Sequence, residues 1–165
     1  MLKLARLAAC AALLGGLWAP FDAIAESYTG RVVAIADGDT VTVLDATETQ
    51  HKVRLAGIDA PEKRQPFGQV SRQYLAEAVF GRAVTVDGSK RDRYGREVGK
   101  ILIEGRDVNL GQIQAGLAWH YKQYEREQSP RDRAVYAAAE EAARQAQRGL
   151  WREPDAIPPW TFRRR

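Results

Sequence analysis

Val32-Val33-Ala34-Ile35-Ala36-Asp37-Gly38-Asp39-Thr40-Val41-Thr42-Val43 reads as two β-branched runs joined by an Asp-Gly-Asp turn. β-Branched residues favour a pleated, half-buried surface, and Gly and Asp favour the tight reversal between two strands. Val53-Arg54-Leu55 follows beyond a second polar turn at Asp45 to Thr49, so Tyr28 to Leu55 is a three-strand meander. Ala83-Val84-Thr85-Val86 and Gly99-Lys100-Ile101-Leu102-Ile103 supply two further strands around the loop that carries Arg91 to Arg96.

Between these strands, Gly68 to Phe80 has apolar residues at Val70, Tyr74, Leu75, Ala78 and Val79 and a glycine at Gly81, which predicts an amphipathic helix. Asn109 to Gly116 predicts a short helix. Ser129-Pro130 predicts the cap and first turn of a longer, alanine-rich helix running to about Arg148 and stopping at Gly149. The segment from Arg152 to Arg165 holds Pro154, Pro158 and Pro159 and is expected to be extended and packed on the surface. Three strands, a helix, two strands and two helices predict an α+β domain built on a five-stranded antiparallel barrel with three helices.

The ends of these strands concentrate chemistry. Asp39 and Asp59 offer oxygen ligands suited to a hard divalent cation. Arg54 beside them offers the planar donor fork that matches a phosphate. Asp92-Arg93-Tyr94-Gly95-Arg96 brings further arginines on a tight turn, and Asp59-Ala60-Pro61-Glu62 ends in a spare glutamate. Each motif alone has a plain structural reading: a hairpin turn, a loop exit, a solvated charged loop. Together, a metal, two arginines and a glutamate point to phosphodiester hydrolysis. Asp37, Asp39, Asp45 and Glu48 also fall at acidic positions of a calcium-hand loop, but Thr42 stands where that loop needs glycine, which rejects the reading.

The chain has 165 residues, 25 basic and 21 acidic, for a net charge of +4. Lys3 and Arg6, an apolar run from Leu7 to Pro20 and Ala23-Ile24-Ala25 read as a secretory signal peptide cleaved near Ala25. The expected organisation is therefore a leader over 1–25, a domain over 26–151 and a Pro/Arg-rich tail over 152–165, in a protein that is secreted or periplasmic and has no membrane span. Leu7-Ala8-Ala9-Cys10 has the look of a lipoprotein box, but its cysteine comes before most of the apolar run. Cys10 is the single cysteine and leaves with the leader, so no disulfide stabilises the mature chain. Loss of Lys3, Arg6 and Asp22 leaves the remainder mildly basic, which permits a polyanionic partner. Arg163-Arg164-Arg165 reads as a solvated tail, and His51 and His120 lie too far apart to suggest a ligand cluster.

Ile35 to Thr40, Val53 to Glu62, Asp92 to Arg96, and Val108-Asn109-Leu110 with Gly116-Leu117-Ala118 together resemble, in order, the motifs of the thermonuclease family of staphylococcal nuclease-like enzymes. The resemblance spans about Tyr28 to Trp151. It implies an oligonucleotide-binding (OB-fold) barrel that is a calcium-dependent nuclease of DNA and possibly RNA, leaving 3′-phosphate ends and acting as a monomer. It implies that Asp39, Asp59 and the backbone carbonyl of Thr40 hold Ca²⁺, with Asp37 as an outer acid. Glu62 then activates water, Arg54 and Arg96 clamp phosphate, and Tyr94 lies beside it. Aromatic residues after Gly116-Leu117-Ala118 support a base; Trp119, His120, Tyr121 and Tyr124 are the candidates, Tyr121 and Tyr124 among them. Two departures stand out: Ala60 replaces a threonine, and the Lys63-Arg64-Gln65-Pro66 loop is short. A barrel of this kind could instead bind nucleic acid without cutting it, but a binder has no need of Glu62.

Overall fold

The computed structural model describes residues 27–164, so the expected leader and its cleavage site lie outside the described residues. Strand β1 (Ser27–Asp37) pairs antiparallel with β2 (Thr40–Asp45), which pairs antiparallel with β3 (Gln50–Leu55). After helix α1 (Gly68–Val79), β4 (Ala83–Arg91) pairs antiparallel with β1 on its other side and with β5 (Glu97–Ile103). The ring is closed by β3 against β5, with Val53, Arg54 and Leu55 opposite Glu97, Val98 and Gly99.

That closing pair is parallel, which corrects the wholly antiparallel barrel expected from the sequence. The reason is chain path: α1 carries the chain across the barrel between β3 and β4, so the hairpin partner β5 returns in the direction of β3. A closed ring has no free edge over this stretch. Register shifts in β1 near Val32 and Ile35, and in β4 beyond Asp87, bend the strands enough to close it.

Val32, Val41, Val43, Val53, Leu55, Val84, Val86 and Ile101 fill the interior, each at most 3 % exposed. Their alternation along the strands is the period-two pattern of a half-buried sheet. Helix α1 packs on this core through Gly68, Ser71, Leu75 and Val79. Val70 and Tyr74, expected on the buried stripe, are 53 % and 41 % exposed, because the stripe runs through the small Ser71 instead.

Helix α2 (Val108–Gln114) is capped by Asp107, whose side chain accepts from Leu110 N. Its Asn109 is fully buried and staples the barrel seam: Oδ1 accepts from Ile101 N, and Nδ2 donates to Ala56 O and Gly99 O. Helix α3 (Pro130–Gln145) begins at Ser129, which caps Asp132 N at 3.0 Å, and buries Tyr136, Glu140 and Ala143. No helix among the described residues is long and apolar enough to cross a membrane.

The C-terminal segment packs on the surface as expected but is not extended throughout. Beyond a 3₁₀ turn at Gly149–Arg152 it forms one helical turn, Pro159–Phe162, which buries Pro159 against the body.

Candidate active site

The β1–β2 turn is held from beneath. Gly38 is where it touches the body: a Cβ there would lie 2.0 Å from Ser71 Oγ and 2.8 Å from the Ala60 side chain. The fully buried Gln112 donates from Nε2 to the carbonyls of Gly38 and Ser71. The turn can therefore project Asp39 in one direction only, and Asp37 Oδ1 accepts from Asp39 N at 3.1 Å.

Asp39 is 6 % exposed and Asp59 fully buried. Asp39 Oδ2 accepts from Ala60 N at 2.6 Å and forms an ion pair with Arg54 Nη1 at 2.9 Å. Its Oδ1 accepts from the Thr40 hydroxyl at 3.2 Å, Thr40 itself being buried at the start of β2. Arg54 Nη2 reaches Asp59 Oδ1 at 2.8 Å, so one guanidinium spans both aspartates. Asp59 is placed by a two-residue antiparallel pairing of Ile58 and Asp59 with His120 and Trp119. Burial pushes the Asp39 carboxyl up; Arg54 opposes this, and the charges of Asp37 and Asp59 add to it.

Glu62 lies on the loop between the barrel and α1, which is folded back by Gln65: Gln65 Oε1 accepts from Glu62 N at 3.1 Å, and Gln65 N donates to Glu62 O at 2.8 Å. A side chain at Gly68 would strike the Glu62 carbonyl, so α1 can begin this close only with glycine. Arg96 projects from the turn before β5, donates from Nε to Asp92 Oδ2 at 2.7 Å and pairs through Nη2 with the same oxygen at 2.7 Å. The same Asp92 accepts from Tyr94 N and Arg96 N through Oδ1, which shapes the turn. Tyr94 is 68 % exposed, its ring 4.8 Å from the Arg93 guanidinium and 5.4 Å from that of Arg96.

The structure divides the aromatic candidates. Trp119 and His120 are buried: Trp119 packs edge-on to Trp151 at 4.3 Å, and His120 Nε2 pairs with Gln128 Oε1 at 2.8 Å. Tyr121 and Tyr124 face the cleft and meet edge to face at 5.1 Å. Asp37, Asp39, Arg54, Glu62, Tyr94, Arg96, Tyr121 and Tyr124 thus line a single cleft of about 730 Å³, with Asp59 buried behind it.

The cleft also holds a residue that sequence reasoning missed. Arg163, expected in a solvated tail, donates from Nη1 to Glu62 Oε1 at 2.7 Å and to Asp59 Oδ1 at 3.2 Å, and from Nη2 to Asp59 Oδ2 at 2.8 Å. The signal that could have found it is the Pro158-Pro159-Trp160 run, in which two rigid residues and a large aromatic anchor fix the course of the chain up to Arg163.

A small closed barrel with carboxylates and arginines gathered in one cleft defines an OB-fold enzyme that works on nucleic acid. Residues 52–153 match the family model described as staphylococcal nuclease homologue. An "Uncharacterized endonuclease" of Escherichia coli O157:H7 is 42 % identical over 137 residues, covering 82 % of this chain and 85 % of that protein. A "Micrococcal nuclease" of Shigella flexneri is 40 % identical over 146 residues, covering 83 % and 81 %. An "Uncharacterized endonuclease" of Haemophilus influenzae is 40 % identical over 139 residues, covering 84 % and 75 %. The chain belongs to the staphylococcal nuclease homologue family and is a nuclease.

Proposed function

We propose that the protein is a calcium-dependent phosphodiesterase that cuts DNA, and RNA where it is offered, at the cleft described above. The observation that carries this reading is Arg54 spanning Asp39 and Asp59, which puts phosphate-binding donors directly beside two cation ligands. The residues fit a hard metal ion. Asp39 is a nearly buried carboxyl whose charged form is disfavoured by burial and by Asp37 and Asp59 and favoured by Arg54, so an added cation beside it would favour that form further. Among the described residues no group of three or more acidic, histidine or cysteine side chains gathers here, so a cation held by Asp39 and Asp59 would take the rest of its oxygen shell from backbone carbonyl and water. Asp39, Asp59 and the Thr40 carbonyl would hold the ion, with Asp37 outside. When bound, Ca²⁺ supplies positive charge against the developing charge on phosphorus-bound oxygens.

The chain's own groups do the rest. Arg54 has two N–H groups left after its contacts with Asp39, Asp59 and Leu55 O, and they are free to grip a phosphate oxygen. Arg96, in the same cleft, supplies a second set of donors, and both stabilise the crowded transition state more than the ground state. Glu62 takes a proton from water as the water oxygen bonds to phosphorus. The bond from phosphorus to the 5′ oxygen breaks, the 5′ oxygen takes a proton from solvent, and a 3′-phosphate remains. Tyr94 lies beside that phosphate, and Tyr121 and Tyr124 stack a neighbouring base without reading its sequence, which favours single-stranded substrate. The apolar leader read from the sequence supports work outside the cytoplasm, in the periplasm or beyond.

The test is cleavage of single-stranded and duplex DNA with Ca²⁺, Mg²⁺ or chelator, comparing the unmodified protein with Glu62→Gln and Arg54→Ala. Calcium-dependent cutting lost in both variants, with 3′-phosphate ends on the products, is the expected result. Cutting that persists in chelator, or products with 5′-phosphate ends, overturns it.

A further inference from the structure

Arg163 reaches the site from outside the segment that the family model matches. It is delivered by a tail with its own anchors. Gln65 Nε2 donates to Ile157 O, and the Trp160 ring stacks on Tyr121 at 5.4 Å and 16° and meets Trp119 edge-on at 5.6 Å. None of these contacts involves the arginine, so the tail has anchors independent of its bonds.

We infer that Arg163 is a positioning residue of this nuclease, fixing the Glu62 carboxylate against Asp59 so that its free oxygen is aimed into the cleft. Glu62 sits half-exposed on a loop, where a carboxylate samples several rotamers. The Arg163 fork fastens its Oε1 to the same guanidinium that holds both oxygens of the fully buried Asp59. Glu62 Oε2 has no hydrogen-bond partner among the described residues and is the oxygen left to receive a proton from water. A lysine could carry the charge but not the planar, two-pronged span between two acids. The inference rests on the role given above to Glu62.

The opposite role is a plug: an arginine that keeps a cation off Asp59 and must leave before the enzyme works. The two differ in the sign of one number. The experiment uses the full purified protein and its Arg163→Ala, Arg163→Lys and Glu62→Gln variants. It measures kcat and KM on a single-stranded oligonucleotide in saturating Ca²⁺, Ca²⁺ affinity by calorimetry without substrate, and Tm. Positioning requires Arg163→Ala to lower kcat about 10- to 100-fold, the scale of a mis-set catalytic group. KM stays within about threefold and Ca²⁺ affinity is unchanged or tighter, because a positive neighbour has been removed. Arg163→Lys stays well below the unmodified kcat, and free guanidinium at millimolar concentration partly restores Arg163→Ala where methylammonium does not. That rescue supports positioning even if the substitution lowers Tm.

A kcat that is unchanged overturns the inference. A kcat that rises together with tighter Ca²⁺ binding makes Arg163 a plug and also overturns it. A kcat unchanged in saturating Ca²⁺ beside weakened Ca²⁺ affinity assigns the residue to the metal site alone and overturns it as well. Full activity in Glu62→Gln removes the proposed role of Glu62 and this inference together, whereas an inactive Glu62→Gln beside an unaffected Arg163→Ala removes the inference alone.

Discussion

The guanidinium of Arg54 lies between the carboxylates of Asp39 and Asp59, 2.9 Å from one and 2.8 Å from the other. Removing it takes from Asp39 its cationic partner and leaves Asp59 with Arg163 alone. Arg54→Ala is expected to lower stability by about 3–5 kcal/mol, the cost of breaking a buried pair from one side. Urea denaturation in chelator measures it. A loss below about 1 kcal/mol would mean that the aspartates are neutralised in some other way.

A bound cation should replace much of what Arg54 contributes. At about 100 times its Kd, Ca²⁺ is expected to stabilise the protein by about 2.7 kcal/mol, and chelator should reverse this fully. Asp39→Asn and Asp59→Asn should each abolish the response. Thermal scans with and without Ca²⁺ decide it, and an undiminished rise in Tm in both variants would place the ion elsewhere.

Gly38 is expected to tolerate no side chain. In Gly38→Ala the new methyl lies within 2.8 Å of Ser71 Cβ and of Ala60 Cβ, and one of them must shift. Overpacking of this kind costs about 1–3 kcal/mol. Because the turn carries Asp39, Ca²⁺ affinity should fall with stability. Adding Ser71→Gly, which removes the nearest obstacle, should recover part of both, as denaturation and calorimetry on the double variant would show.

His51 gives the fold a pH dependence away from the cleft. Its Nε2 lies 2.8 Å from Asp45 Oδ2 and its Nδ1 2.8 Å from Glu97 Oε1, so both nitrogens face carboxylates. Glu97 is also bound by the Tyr28 hydroxyl at 2.7 Å and by Arg91 at 3.0 Å. These hydrogen bonds, that of Asp45 first, raise the His51 pKa above its ordinary value. A raised folded-state pKa contributes stability that is complete below the unfolded value of about 6.5 and is lost as pH rises through the folded value. Exposure to water keeps the effect small. His51→Gln should therefore lower Tm by roughly 2–5 °C at pH 5.5, with the gap closing at alkaline pH. A gap that widens with pH would contradict the bridging imidazolium.

Much of this molecule is legible in its residues. The β-branched runs of β1 to β5, the glycine turn between Asp37 and Asp39, and the Ser129 cap of α3 are local signals and lie where local chemistry puts them. The approach of Asp39, Arg54 and Glu62 is legible only as a pattern of motifs, since no local rule brings Asp39 to Ala60. The direction of β5 against β3 was not legible, because strand pattern records which face is buried and not which way a distant partner runs. Arg163 was hidden for a related reason. In sequence it is one of three consecutive arginines, and only Trp160 packing on Tyr121 converts it from a surface charge into the partner of Glu62.

The parallel pairing of residues 53–55 with 97–99 has a consequence for timing. Arg54 sits within that pairing and Arg96 immediately before it, so the two cleft arginines come together only when the ring shuts. Contacts this distant along the chain form late, after the loop entropy between them has been overcome. Before that moment Asp39 lies on one hairpin and Arg96 on another, with no shared cleft. Chemical competence should therefore arrive in a single step with barrel closure, and a partly folded chain should be harmless to nucleic acid.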